Sequence, residues 1–275
     1  MTYRFGSYNL HTHSYYCGHG VGEPIDYVRE ARKNGISLLG FSEHCPVKEN
    51  RWASSRMAFG SLPDYLQDIK AAQQVEDIKV LAGFECDFYP AYRSYFQELK
   101  EQTDFLLFGV HYLDTPQQAD FPIHCLPIGK KELAIYGQQY VRALESGLFA
   151  FGAHPDLFGI QYPRWDAEAI AVSKEILSCA ASYDIPLEVN ANGLLKEKVL
   201  DSKGFRYPYP LDPFWNLAKE QFPKVKIICN GDLHDPLNFS SFLENGRQWS
   251  KRMGIAFGSV IWDEKTKKLS VVPSA

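Results

Sequence analysis

Short apolar runs rich in β-branched and aromatic residues recur along the chain, alternating with stretches whose apolar positions fall at helical spacing. The runs GSYNLHTH, SLLGFSEH, KVLAGFECDF, DFLLFGVHY, LFAFGAHP, PLEVNANG and KIICNGDLH predict seven strands. Between them, PIDYVREARKNG opens on proline and closes on glycine, the usual punctuation of a helix. SLPDYLQDIKAAQQVE, KELAIYGQQYVRALESG and DAEAIAVSKEILSCAASY predict further helices, the last capped by Asp166. DPFWNLAKEQ and PLNFSSFLENGRQW carry a fainter helical pattern. Repeated βα alternation predicts a parallel sheet, because parallel neighbours need a crossover connection; an open doubly wound sheet and a closed barrel both fit it. Leu113 to Ile128, LDTPQQADFPIHCLPI, is expected to be an irregular active-site loop, and IAFGSVIW a last strand that closes the structure. No low-complexity linker divides residues 1–275, which read as one domain.

The polar residues fall at the ends of these runs. The first ends in His11 and His13, the second in Glu43 and His44, the third in Glu85 and the fourth in His111. The fifth carries His154, the sixth Glu188, Asn190 and Asn192, and the seventh Asp232 and His234. In a parallel sheet or barrel these ends share one edge, where the catalytic groups of (β/α) barrels collect. Residues two apart on a strand face the same way, so His11 and His13 can chelate one ion, and Asp232 and His234 repeat that spacing. Glu85 has two oxygens with which to bridge two ions, and the glycine-flanked loop CGHGVG can bend His19 back over the edge. A lone histidine at a strand end is ordinarily a hydrogen-bonded neutral side chain; here seven of the eight lie at or just after predicted tips, which changes that reading. His124 is the exception, a loop residue with a lesser role in substrate contact. Nine candidate ligands exceed the four that one zinc ion usually takes. They suit a cluster of two or three ions, and imidazole mixed with carboxylate favours zinc, iron or manganese over calcium or magnesium. Such clusters hydrolyse phosphate esters by clamping the attacking and leaving oxygens.

Composition narrows the setting. The chain is 45% hydrophobic and 23% charged, as expected of a globular protein with a real core. No run approaches the roughly 20 apolar residues of a membrane span, and MTYRFGSYNL lacks the regions of a signal peptide, so a cytoplasmic protein with no membrane partner is expected. A net charge of −4 argues against a broad electrostatic grip on nucleic acid. The six cysteines form no C-x-x-C pair and read as reduced thiols, Cys45 and Cys86 as core residues beside candidate ligands.

The segments NLHTHSYYCGHG, GFSEHCP, GFECDF, FGVHY, GAHPDL, EVNANGL and NGDLHD resemble the successive motifs of the polymerase and histidinol phosphatase (PHP) superfamily, from Asn9 to Asp235. GFSEHCP, LPDYLQDIKAAQQ and VLAGFECDFYP look most like its stand-alone histidinol-phosphate phosphatases. The resemblance implies a distorted (β/α)7 barrel with three divalent transition-metal ions on its C-terminal face. It places His11, His13, Glu85 and Asp232 on the first ion, Glu85, His111 and His154 on the second, and His19, His44 and His234 on the third. The implied reaction is hydrolysis of L-histidinol phosphate to L-histidinol and phosphate by a metal-bridging hydroxide, with Glu85 as bridge and His234 or Asp232 assisting the leaving alkoxide.

A phosphomonoester dianion also calls for protein cations; Arg164 in QYPRWD and Arg206 in GFRYPYP are the candidates, each following a catalytic-edge strand. Family members often carry an arginine where NGLLKEK has Leu195, a place that Lys196 or Arg206 would fill, or else the substrate differs. Asn190, with Glu188 and Asn192, either meets the substrate's ammonium or imidazole or serves structural hydrogen bonds. Competing readings are a PHP enzyme for another small phosphoester or nucleotide, and a metal-stabilised binding module. Metal-dependent C–N hydrolysis, which in related barrels often uses a lysine carbamate, ranks lower because no predicted strand tip ends in lysine.

Overall fold

The computed structural model describes residues 1–201 and 204–273. Its centre is a curled parallel sheet in an α/β fold. Four strands, β1 (Tyr8–Asn9), β2 (Leu38–His44), β3 (Lys79–Asp87) and β4 (Phe105–Gly109), pair in chain order and in parallel. A second parallel pair joins β5 (Leu187–Asn190) to β6 (Ile227–Asn230). Single parallel bridges link Phe108 to Gly152, Gly152 to Leu187, and Thr12 to Leu233.

Helices fill the crossovers: α1 (Pro24–Lys33), α2 (Leu62–Ala72), α3 (Arg93–Gln102), α4 (Lys130–Glu145), α5 (Ala167–Tyr183), α6 (Asp212–Gln221) and α7 (Phe239–Met253). The local signals behave as expected. Pro24 opens α1, Gly35 follows its end at φ 78°, and the Asp166 carboxylate caps α5 by accepting from the Ala169 N–H at 3.1 Å. Among the described residues no helix is long and apolar enough to cross a membrane.

Strand alternation separates two surfaces. Val80, Ala82, Phe84 and Cys86 on β3 pack outward among the helices, while Leu81 packs inward with Tyr8, Leu10, Leu38, Phe105, Leu107 and Ile228. The interior is tight: a Cβ on Gly40 or Gly83 would stand 2.8 or 2.7 Å from the Phe105 ring, so two glycines make room for one phenylalanine. Further along the same inward face come Glu85 and Asp87. The concave side is thus apolar at the start of the strands and polar at their ends.

Four sequence expectations need correction. LFAFGAHP forms only the bridge at Gly152; the Ala153 carbonyl accepts from the Tyr140 hydroxyl at 3.0 Å, and His154 turns to φ 28° before Pro155. The first strand likewise continues past Asn9 only through the bridge at Thr12. IAFGSVIW supplies all but the last residue of the strand Ser259–Asp263, which forms a separate antiparallel sheet with Thr2–Tyr3 and Lys268–Val272; Val260, Trp262, Leu269 and Val271 of that sheet join the inner apolar cluster. The loop from Leu113 to Ile128 is not wholly irregular, since Tyr112–Leu113 pairs with Phe121–Pro122.

Candidate metal centre

The strand ends bring distant residues to one place. Glu85, 1% exposed at the tip of β3, lies at the middle. Its Oε2 faces His11 Nε2 at 3.4 Å, His13 Nε2 at 3.5 Å and His44 Nδ1 at 3.0 Å. Its Oε1 faces His111 Nε2 at 3.4 Å and His154 Nε2 at 2.9 Å. Asp232 closes the other side, with Oδ1 at 3.1 Å from His13 Nε2 and 3.5 Å from His11 Nε2. The His13 and His234 rings stack at 4.3 Å, and His19 stacks on His234 at 4.7 Å and on His44 at 5.4 Å. The glycine-flanked loop therefore does return His19 to the strand edge.

The centre is electrostatically incomplete as a set of side chains alone. Burial opposes ionisation of Glu85, yet His111, His11 and His44 hold its carboxyl well below the usual range. Burial would also lower His13, but Asp232 and Glu43 outweigh it and raise the imidazole to about 9. Burial together with His13 pushes His234 down to about 3. Buried polar atoms without hydrogen-bond partners gather here: His11 Nε2, both nitrogens of His13, His44 Nδ1, Glu85 Oε2, His154 Nδ1 and His234 Nε2. Each such atom costs about 1–3 kcal/mol, a cost that cations shared among them remove. Possible ligand atoms fall within 4.8 Å of one another in five groups: His11–His13–Glu85, His11–His154–Asp232, His44–Glu85–His111, His13–His44–His234 and Cys17–His19–His234. The donor set fits divalent transition ions.

A second layer orients these groups. Glu188 is fully buried and meets His11 Nδ1 at 2.9 Å; Asn190 and Asn230 donate to it at 3.0 Å each, and the His154 N–H at 3.3 Å. With Nδ1 committed to Glu188, His11 presents Nε2 to the centre. Glu43 Oε1 accepts from the Ser14 N–H and hydroxyl, at 2.5 and 2.6 Å, while its Oε2 lies 3.8 Å from His13 Nδ1. His154 and Asp232 both hold positive φ, 28° and 47°, and such strain in non-glycine residues concentrates at functional sites. Replacing Glu188 by glutamine is expected to weaken divalent-ion binding about 10–100-fold, measured by competition with a chromophoric chelator.

A cavity of about 210 Å³ opens on the centre, lined by His19, His44, His111, His154, Asp232 and His234 together with Ser55, Arg56, Tyr112, His124, Leu157, Ile160, Asn192, Lys196 and Tyr209. His124 takes its place here, edge-on to Tyr112. Three expected substrate contacts lie elsewhere. Arg206 is spent tying its own loop to the segment after His154, bonding Asp201 and the carbonyls of Tyr207 and Pro208 on one side and of Gly159 and Tyr162 on the other. Arg164 lies over the Tyr162 ring, outside the cavity. Asn190 is buried, donating to Glu188 and to Asp232 at 3.2 Å, while its neighbour Asn192 reaches the cavity. The cations that do line it are Arg56 and Lys196. Arg56 lay in no recognised pattern. Asp87, by contrast, was legible: two residues after Glu85 on one strand, it shares that face. Cys17 joins the histidines through a loop path that its spacing does not disclose.

The PHP domain family model matches residues 9–192. The chain is 32% identical over 241 residues to the Deinococcus radiodurans protein named "Probable histidinol-phosphatase", covering 84% of this chain and 87% of that one. It is 24% identical over 259 residues to the Histidinol-phosphatase of Bacillus subtilis, covering 82% and 92%. In fold it superposes on the histidinol phosphate phosphatase of Lactococcus lactis, solved with Zn, L-histidinol and phosphate, at a TM-score of 0.67 and 19% identity, covering 92% of this chain and 96% of the other.

Proposed function

The chain belongs to the PHP domain family, and from that membership we propose that it is a metal-dependent phosphomonoesterase hydrolysing L-histidinol phosphate to L-histidinol and inorganic phosphate. The observation that carries the reading is the division of Glu85, whose two oxygens face different sets of imidazoles, as a carboxylate shared between ions requires. The parallel series with its bridges at Gly152 and at Thr12–Leu233 is read as a distorted (β/α)7 barrel of one domain spanning residues 1–275. His11, His13, Glu85 and Asp232 would hold one ion, Glu85, His111 and His154 a second, and His19, His44 and His234 a third, in the cytoplasm.

Divalent ions held in this way supply Lewis acidity and neutralise charge on phosphoryl oxygens. The protein's own groups do the rest. Lys196, at the cavity edge, is the mobile cation for the phosphate dianion. Asn190 and Asn192 both donate to Asp232 Oδ2, fixing that carboxylate in the cavity wall. His234 or Asp232, both lining the cavity, would assist the leaving alkoxide as the P–O bond breaks, the proton it takes up coming from the attacking water. Tyr112, Leu157, Ile160 and Tyr209 form an apolar and aromatic wall for the organic part of the ester.

Phosphate release from a panel of phosphoesters, using protein of known metal content, tests this. Histidinol phosphate is expected to give the highest kcat/KM; chelation should abolish release and added zinc, manganese or iron restore it. Preference for another phosphoester by several orders of magnitude would move the substrate elsewhere in the family, and ammonia in place of phosphate would end the phosphatase reading.

A further inference from the structure

Beside the centre lies a buried cation that the proposed reaction leaves without a task. Arg56 follows β2, and its side chain and the Asp87 carboxylate that it pairs with are each 2% exposed. Asp87 in turn accepts from the His111 backbone N–H at 2.7 Å and lies 3.0 Å from His111 Nδ1. The chain of contacts thus runs guanidinium, carboxylate, imidazole, and ends at His111 Nε2, which faces Glu85 Oε1. Aromatic rings fix the guanidinium from the side: it lies 4.9 Å from the centroid of Trp52 and 5.7 Å from that of Tyr112, and those two rings stack at 5.2 Å.

As a contribution to stability this arrangement is poor. A buried ion pair gains little over an apolar pair of the same shape, and Arg56 Nε and Nη1 are buried with no hydrogen-bond partner. Those same atoms lie closed off from solvent, which disfavours direct contact with a substrate anion although the residue borders the cavity. What the pair does achieve is a single orientation for Asp87, set so that one carboxylate addresses both N–H groups of His111.

We infer that Arg56 is a positioning residue of the metal centre: through Asp87 it fixes the ring plane and tautomer of His111, keeping the proton on Nδ1 and the Nε2 lone pair directed at a divalent ion. The inference rests on the reading above only in that His111 ligates an ion; it does not depend on the substrate.

The test compares R56M, R56K, D87N and the double variant R56M/D87N with the wild-type chain. The readouts are divalent-ion affinity, by competition with a chromophoric chelator, and the visible spectrum of the Co²⁺-substituted protein. R56M and D87N should each weaken ion binding about 10–100-fold and alter the Co²⁺ spectrum. The double variant should be no worse than D87N alone, because both act through one imidazole. R56K should recover part of the loss, and it carries the comparison if R56M does not fold. Unchanged ion affinity with a raised KM for histidinol phosphate would make Arg56 a substrate contact and overturn the inference. So would additive losses, or a lower Tm with an unchanged Co²⁺ spectrum. A wild-type chain that binds ions but prefers another phosphoester removes the proposed substrate and leaves this inference standing; one that binds no divalent ion removes both.

Discussion

Replacing Glu85 by alanine will abolish phosphate release, by about a thousandfold or more, while the circular dichroism of the chain stays native. The reason is placement. Both oxygens of Glu85 point into the imidazole cluster, with three ring nitrogens within 3.5 Å of Oε2 and two within 3.4 Å of Oε1. Removing it takes the central anion from the cluster and leaves those imidazoles facing one another. The fold survives because Glu85 lies at the end of β3, beyond the inward apolar layer of Leu81 and outside the outward packing of Phe84 and Cys86. Metal content measured alongside turnover checks the assignment: E85A should bind fewer ions per chain. Normal turnover with a full complement of metal would show that no ion is bridged there.

The second large effect needs one methyl group. Gly109, the last residue of β4, has no side chain because none fits: a Cβ there would stand 2.5 Å from His154 Cε1, 2.7 Å from Glu85 Oε1 and 2.9 Å from His111 Cε1. All three neighbours are members of the centre and cannot withdraw without leaving their places. G109A is therefore expected to lose about a hundredfold or more in ion affinity, with phosphate release falling in step, and about 1–3 kcal/mol in stability from overpacking. G60A is the control, since a Cβ on Gly60 meets nothing within 4 Å and should change neither quantity. Wild-type ion affinity in G109A would mean that the centre is more open than these distances describe.

Much of this was legible in the chain because strand chemistry is local. Side chains alternate with period two, so H-x-H at 11 and 13 had to face one way, and an apolar run ending in a polar residue had to present it at a strand tip. The helices were legible for the same reason, their caps and apolar stripes lying within a few residues of one another. The shortness of the fifth strand was not, because past Gly152 the Ala153 carbonyl accepts a tyrosine hydroxyl from α4 and His154 turns to φ 28°. The arginines were not either. Both candidates follow catalytic-edge strands, but Arg206 turns its donors onto its own loop and onto the Gly159 carbonyl, and Arg164 lies on a tyrosine outside the cavity, whereas Arg56, from a segment with no pattern at all, reaches Asp87 beside the centre.

By itself, then, the sequence determined most of the alternation of strands and helices and the edge at which the candidate ligands other than Cys17 collect, since these follow from spacing along a single element. Only the tertiary structure decided which nitrogen each imidazole turns inward, which oxygen of Glu85 it meets, that Gly109 must be bare, and that Arg56 rather than Arg164 or Arg206 stands next to the centre. Those outcomes depend on groups brought together from as far apart as His11 and Asp232, and the orientation of one side chain against another is set by packing, which no spacing along the chain encodes.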